Sequence, residues 1–238
     1  MKSIDPFLIL LLLGSLAIAQ SPDILLGRIM GNRKFIDARQ YIEAHYKGTP
    51  IEGAAATQMK SAGLEGVKSD RWGNVSAIRK GSQDDEFVAI ISNVHAPEAQ
   101  PAMMTLVKAL DSVGIATKSG LLFIAMSPEA DNAGEAVSEF LEQNPYRQHV
   151  RACVVVDSSG EETVFGPPNS IGSTIVQYGL QSVTAYGMEP NYEPAQGILT
   201  IPIKLRIPCV GLGLGADKAS AKGIELVMTT VLAIAGVQ

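Results

Sequence analysis

Histidine and cysteine are scarce in this chain. Its 238 residues include three histidines and two cysteines. Two cysteines cannot form a thiolate cage around zinc, and no C-x-x-C pair is present to indicate a redox site. A metal site in this chain therefore has few imidazoles and no cysteine cluster to draw on.

Positive charge is also in short supply. The 19 Lys and Arg residues are outnumbered by 24 Asp and Glu residues, which gives a formal net charge of −5. A nucleic-acid-binding protein needs a basic face to neutralise phosphates, so this balance argues against such a partner and against an anionic lipid surface. The 23 glycines and 13 prolines are ordinary numbers for a globular chain and exclude a collagen-like one. The length suits one good-sized domain or two small ones.

The first 19 residues are predicted to be a signal peptide. Residues 7–13 read FLILLLL and are followed by small residues, with Ala17 and Ala19 at the −3 and −1 positions of a cleavage site before Gln20. The apolar run is too short to span a bilayer comfortably, although an uncleaved anchor is the alternative interpretation. Residues 20–238 are therefore predicted to be secreted or periplasmic, with no membrane contact after cleavage. Cys153 and Cys209 lie in apolar, strand-like runs, which predicts buried thiols.

Apolar residues alternate between the strand and helix periods along the chain. Strands are predicted at 75–79, 87–91, 121–125, 152–156 and 207–214, and helices at 35–46, 51–62, 99–110, 133–141, 175–185 and 224–235. This alternation calls for a mainly parallel sheet covered on both faces. Residues 20–238 are thus predicted to form a single three-layer α/β/α sandwich.

Polar residues follow three of the predicted strands. The carboxyl ends of parallel strands share one edge of the sheet, where α/β proteins bind their ligands. An imidazole together with carboxylates suits zinc, manganese or cobalt. The residues concerned are His95 and Glu98, Glu129 and Asp131, and Asp157.

The order of several short segments resembles the M20 metallopeptidases, the aminoacylase and carboxypeptidase group. Asp70 to Val75 read D-R-W-G-N-V, a K-G pair follows at Lys80, and a strand then leads to His95. Further along, 120–125 with Glu129 is similar to the strand before the family's Glu-Glu pair. Val155-Val156-Asp157 resembles the strand that delivers another metal ligand, and 207–213 resembles the late I-P-x-V-x-L-G segment.

The resemblance implies a hydrolase of peptides or N-acyl amino acids that uses two zinc ions. His95 matches the histidine of the family's H-x-D motif, and Asp157 matches the ligand after the third strand. Glu129 matches one member of the Glu-Glu pair, either the catalytic base or a metal ligand. Glu98 is the nearest replacement for the bridging aspartate.

The chain departs from this family at several positions. His95 is followed by Ala96 and Pro97, so the aspartate of H-x-D is missing, and residues 215–219 contain no histidine. Residues 158–200 are too few for the family's lid and dimerisation domain, and the sequence leaves the oligomeric state open. With about three ligands, the chain is predicted to hold one weakly bound metal or none, rather than a dinuclear centre. A non-catalytic relative that serves as a binding module or pseudoenzyme is the second hypothesis.

Overall fold

A mixed β-sheet forms the centre of the molecule. The computed structural model describes residues 21–46, 55–92, 99–127, 138, 141–143, 146–157, 163–166, 173–194, 200–214 and 221–238. The predicted signal peptide lies outside these residues. No helix within the described ranges is long and apolar enough to cross a membrane.

The described elements alternate along the chain. The strands are β1 (Glu65–Ser69), β2 (Val75–Arg79), β3 (Gln83–Ser92), β4 (Ser119–Ala125), β5 (Val150–Asp157), β6 (Thr163–Gly166), β7 (Asn191–Pro194) and β8 (Cys209–Gly213). The α-helices are α1 (Pro22–Met30), α2 (Arg33–His45), α3 (Ala55–Ser61), α4 (Ala99–Ser112), α5 (Thr174–Ala185), α6 (Thr200–Lys204) and α7 (Ala221–Ala235). One 3₁₀ turn (Arg147–His149) precedes β5.

The strand order confirms the predicted fold class. The described strands follow the order β1-β2-β4-β3-β5-β8-β6-β7. The four central strands, β4, β3, β5 and β8, run parallel to one another. At one end, β2 is antiparallel to both β4 and β1; at the other, β6 is antiparallel to β8 and parallel to β7. The carboxyl ends of the four central strands therefore meet at one edge of the sheet, termed the carboxyl rim below.

Both faces of the central strands are buried. In β3, Val88 and Ile90 pack into the core beneath the large helices, whereas Ala89 and Ile91 pack into a second core on the opposite face. Helices α4 and α7 cover the first face, and α6 contributes Ile201 to the second. Burial on both faces explains why the strands read as continuous apolar runs rather than alternating ones.

Several edges of the sheet differ from the sequence prediction. Strand β3 begins at Gln83, four residues before the strand predicted at 87–91, because Gln83 pairs with Ser119. Strands β1, β6 and β7 were not predicted from the sequence; they are only four or five residues long, β1 and β7 being the two edge strands and β6 lying between β7 and β8. Strands this short, and the mostly exposed edge strands β1 and β7 above all, lack the apolar run that marks a buried strand. The described parts of 158–200 thus extend the sheet and, through α5, its helical layer.

The last residues of the chain contact the amino end of β4. Val237 forms an antiparallel bridge with Thr117, and the Lys118 amide donates to the Gly236 carbonyl at 2.8 Å. The Gln238 amide donates to the Ala116 carbonyl at 3.1 Å. These bonds hold the end of α7 at the edge of the sheet opposite the carboxyl rim.

Candidate functional site

The four central strands end nearly level with one another. Ser92 of β3 pairs with Ala125 of β4 on one side and with Val156 of β5 on the other, and Val156 pairs in turn with Leu212 of β8. The chain leaves β3, β4 and β5 within one or two residues of this row. The segments that carry His95, Glu98 and Glu129 follow β3 and β4 directly in the sequence.

Only one of the predicted site residues belongs to the described part of the chain. Asp157 is the last residue of β5; it is half-buried, and its carbonyl accepts a hydrogen bond from the Leu214 amide at 2.8 Å. His95, Glu98, Glu129 and Asp131 lie outside the described residues. The metal site that unites them with Asp157 therefore stays a prediction.

The described residues do not form a metal site by themselves. Within the ranges given above, no group of three or more His, Cys, Asp or Glu side chains is arranged to hold a metal ion. Asp157 is an oxygen donor at the carboxyl rim, which fits zinc, manganese or cobalt as one ligand among several. Such a site depends on the segments that follow β3 and β4.

A tight turn precedes β2 and is held together by Asp70. The Asp70 carboxylate accepts hydrogen bonds from the backbone amides of Trp72 and Asn74, both at 2.9 Å, through Oδ1. Its Oδ2 accepts from Asn74 Nδ2 at 2.8 Å. Gly73 has φ +81°, a conformation that side-chain-bearing residues rarely adopt. The D-R-W-G-N segment is therefore one hydrogen-bonded unit, which we name the Asp70 turn (residues 70–74).

The Asp70 turn is fastened to the carboxyl end of β4. The Oδ1 atom of the fully buried Asn74 accepts a hydrogen bond from the Ser127 amide at 2.9 Å. A Cβ atom placed on Gly73 would lie 3.1 Å from Ser127 Oγ, so the backbone of the turn approaches this serine closely. Ser127 lies two residues before Glu129 in the sequence. The turn thus fixes the point at which the chain departs from β4 toward that carboxylate.

Ser92 makes a second link at the same rim. Its side chain is buried at the end of β3, and its Oγ accepts a hydrogen bond from the Met126 amide at 3.2 Å. This bond joins the ends of β3 and β4 just before the segments that carry His95 and Glu129. In the sequence, Asp70 to Val75 indicated only the family resemblance, and no role was predicted for Asn74, Ser92 or Ser127. Ser92 could have been found in the sequence as the one polar residue at the end of an otherwise apolar run, Phe87 to Ile91.

The other two histidines have local partners. His45 ends α2, stacks on Tyr41 with a ring separation of 4.0 Å, and places Nδ1 2.8 Å from the Tyr41 carbonyl. His149 lies at the amino end of β5, with Nδ1 3.0 Å from the Asp85 carbonyl. His149 is therefore remote from the carboxyl rim. His95 remains the histidine that the chain order assigns to that rim.

A buried ion pair joins α7 to α2. Arg39 Nε contacts Glu225 Oε2 at 2.6 Å; the Glu225 side chain is 4% exposed and that of Arg39 35%. Tyr186, just after α5, lies beneath the Arg39 guanidinium and shares a 3.1 Å hydrogen bond with Thr229. Burial raises the pKa of Glu225, although the hydrogen bond and charge of Arg39 act in the opposite direction. Burial also raises the pKa of Tyr186, to about 12.

One described groove lies away from the carboxyl rim. It has a volume of about 580 Å³ and opens at the amino ends of the central strands, between the starts of β3, β4 and β5 and the end of α7. Lys118 and Arg151 line it, and Arg151 is paired with Glu86 at 2.8 Å. The groove contains none of the predicted site residues.

No protein-family model and no curated protein sequence matches this chain. Solved structures do match. The LapA aminopeptidase of Legionella pneumophila is similar with a TM-score of 0.56 at 13% identity, over 91% of this chain and 75% of that one. A Zn-dependent exopeptidase of Parabacteroides distasonis gives 0.55 at 11% identity, over 84% of this chain and 96% of that one.

The structure of an enzyme with a different activity matches equally well. The glutaminyl cyclase of Porphyromonas gingivalis is similar with a TM-score of 0.56 at 9% identity, over 84% of this chain and 95% of that one. Identities this low establish a shared fold and leave activity undecided. The narrower resemblance to the M20 metallopeptidases stays a hypothesis that rests on the sequence segments. The chain has the zinc-exopeptidase-like α/β fold.

Proposed function

We propose that this chain is a metal-dependent hydrolase of amide bonds in peptides or N-acyl amino acids. Its metal ligands are His95, Asp157 and Glu98, and Glu129 acts as the catalytic base or as a further ligand. The metal is zinc, with manganese or cobalt as substitutes. When bound, such an ion lowers the pKa of its water ligand and polarises the carbonyl of the substrate.

The arrangement of β4, β3 and β5 is the observation that carries this proposal. These adjacent parallel strands end in one row, through the pairs of Ser92 with Ala125 and with Val156. The segments with His95 and Glu129 and the half-buried Asp157 follow that row. The same fold occurs in a Zn-dependent exopeptidase and in an aminopeptidase, which supports peptide substrates.

The described residues have positioning roles in this proposal. Asn74 holds the Ser127 amide and so directs the chain toward Glu129. Ser92 holds the Met126 amide and keeps the ends of β3 and β4 together. Asp157, half-buried at the end of β5, supplies a carboxylate at the rim in this proposal.

Metal analysis and turnover by the same preparation test the proposal. The full chain is dialysed to equilibrium against buffer that contains zinc, and the metal bound to it in excess of the dialysate is measured. Hydrolysis of amino-acid p-nitroanilides and of N-acetyl amino acids is assayed in parallel. We expect about one equivalent of metal and measurable turnover that a chelator abolishes.

Matched variants assign the residues. His95→Ala and Asp157→Asn are expected to lower metal content and turnover together. His149→Ala and Asp37→Asn, which alter the amino end of β5 and the exposed surface of α2, are expected to change neither. Glu129→Gln separates the two roles left open: a base variant keeps the metal and loses turnover, whereas a ligand variant loses both.

The second hypothesis is a non-catalytic relative that keeps the fold for binding. It is favoured by the missing aspartate after His95 and by the lack of a histidine in 215–219. Metal content below one equivalent, together with no turnover when zinc, manganese or cobalt is added, would support this hypothesis and overturn the hydrolase.

A further inference from the structure

Cys153 and Cys209 occupy directly opposite positions on two neighbouring strands. Cys153 of β5 and Cys209 of β8 are register partners in the parallel pair. Both side chains belong to the same hydrophobic cluster, on the face of the sheet that also buries Ala89 and Ile91. The two thiols therefore point to the same side and are neighbours across the ladder.

We propose that these two cysteines form an intrachain disulfide that fastens β5 to β8. Neighbouring strands lie about 4.8 Å apart, which falls within the range of about 4.4–6.8 Å between the Cα atoms of bonded cysteines. Both residues are free thiols in the structure. The bond requires a side-chain adjustment within an existing strand pair and no change of register.

The location of the pair gives the bond a role at the carboxyl rim. Four residues after Cys153 the chain reaches Asp157, and four residues after Cys209 it reaches Gly213, the partner of Asp157 in the ladder. A covalent bond at the other end of this short pairing holds both strands in register up to that edge. This role is independent of whether the chain is a hydrolase.

The oxidant is a small disulfide such as glutathione disulfide. One cysteine thiolate attacks a sulfur of the reagent and forms a mixed disulfide, releasing one glutathione. The second cysteine thiolate then attacks the protein sulfur of that mixed disulfide and releases the other glutathione. Both thiol protons are lost, one S–S bond replaces another, and the reagent takes up the two electrons.

Burial determines when the bond forms. The exposed fractions of Cys153 and Cys209 are 0% and 2%. Burial raises the pKa of both thiols, that of Cys209 to about 12, so neither is a ready nucleophile in the folded chain. We therefore place the oxidation during folding, before β8 completes its pairing with β5.

Two cysteines in one unfolded chain also oxidise, so the test compares the native and unfolded states. The full chain is equilibrated in a glutathione redox buffer, once in native buffer and once in 8 M urea. In each buffer, one sample starts from the reduced protein and another from the oxidised protein, and both must reach the same disulfide fraction. The disulfide fraction is read by mass spectrometry after acid quenching, and peptide mapping identifies the bonded cysteines.

The expected result is a disulfide-to-dithiol ratio about 100-fold higher in native buffer than in urea, because native pairing holds the thiols together. Cys153→Ser and Cys209→Ser report how strongly each single thiol forms a mixed disulfide with glutathione, and both are expected to resist it when folded. A native ratio equal to or lower than the ratio in urea overturns the proposal. Bonds found only between chains overturn it as well.

Discussion

The side-chain oxygen of Asn74, just before β2, accepts a hydrogen bond from the backbone amide of Ser127, just after the neighbouring strand β4, at 2.9 Å. The same side chain donates to Asp70 at 2.8 Å, and it is fully buried. One amide group thus joins the Asp70 turn to the end of β4. Asn74→Ala is expected to destabilise the chain by about 2–4 kcal/mol, because it leaves buried polar groups without their bonds.

Urea denaturation measures the loss of unfolding free energy in Asn74→Ala and compares it with the loss at a second asparagine. Asn32 caps α2 through its exposed side chain, which accepts from the Lys34 amide at 2.9 Å. Asn32→Ala is expected to cost about 1 kcal/mol, as the loss of a helix cap does. Equal costs for the two variants would show that the link between the turn and β4 contributes little.

Gly73 is expected to resist substitution for two reasons that can be separated. It has φ +81°, and a Cβ atom would lie 3.1 Å from Ser127 Oγ. Gly114 has φ +62°, and a Cβ there would meet nothing within 4 Å. Gly114→Ala is expected to cost about 1 kcal/mol from the backbone alone, and Gly73→Ala about 0.5–1 kcal/mol more. Unfolding free energies of both variants measure the difference, and a smaller cost at Gly73 would contradict the close approach.

The two partners of the buried ion pair are expected to respond unequally to mutation. Arg39→Ala leaves the 4%-exposed Glu225 carboxylate without its cation and is expected to cost about 1–3 kcal/mol at pH 7. Glu225→Gln is expected to cost less, because the 35%-exposed Arg39 retains contact with water. The exposed Lys80–Glu65 pair serves as a control, and Glu65→Gln is expected to change stability by less than about 0.5 kcal/mol.

The same pair gives a pH dependence with a definite sign. Burial raises the pKa of Glu225, so the folded chain binds this proton more tightly than the unfolded chain does. Glu225 therefore makes the fold less stable as the pH rises from the pKa of this carboxyl in the unfolded chain, about 4.3, through its raised pKa in the folded chain. Unfolding free energies between pH 4 and pH 8 are expected to show that slope in the parent chain and to lack it in Glu225→Gln. An unchanged slope in the variant would contradict the assignment.

Zinc is expected to stabilise the folded chain if the proposed ligands form a site. At a free zinc concentration 100 times the dissociation constant, the gain is about 2.7 kcal/mol, or several degrees in Tm. Thermal unfolding with zinc and with a chelator measures the shift, which is expected to vanish in Asp157→Asn and to persist in Asp37→Asn. A shift of the same size in both variants would exclude Asp157 as a ligand.

The buried part of the fold was predictable from the sequence because its signals are local. The apolar runs of β4 and β5 and the helical stripe of α7 identify elements that pack on both sides or along one face. The periodicity of 175–185 likewise predicted α5, which the structure confirms at Thr174–Ala185. Strands β6 and β7 are only four residues long and carry no such pattern, since strands this short owe their conformation to the neighbours they pair with.

The candidate site was predictable only as a set of positions along the chain. Asp157 lies at the end of β5, as the sequence indicated, because a parallel strand brings its last residue to the rim. The sequence did not reveal that Asn74 reaches Ser127, since that contact spans 53 positions and depends on β2 pairing with β4. Long-range hydrogen bonds between side chain and backbone leave no periodic signature in the sequence.

The closing residues of the chain determine where a fusion partner emerges. Val237 pairs with Thr117, and Gln238 bonds to the Ala116 carbonyl, both at the amino end of β4. A purification handle attached after Gln238 would thus leave the molecule on the side facing away from Asp157. Such a handle suits immobilisation on a sensor surface, because it leaves the opposite edge free for metal or peptide delivered in solution.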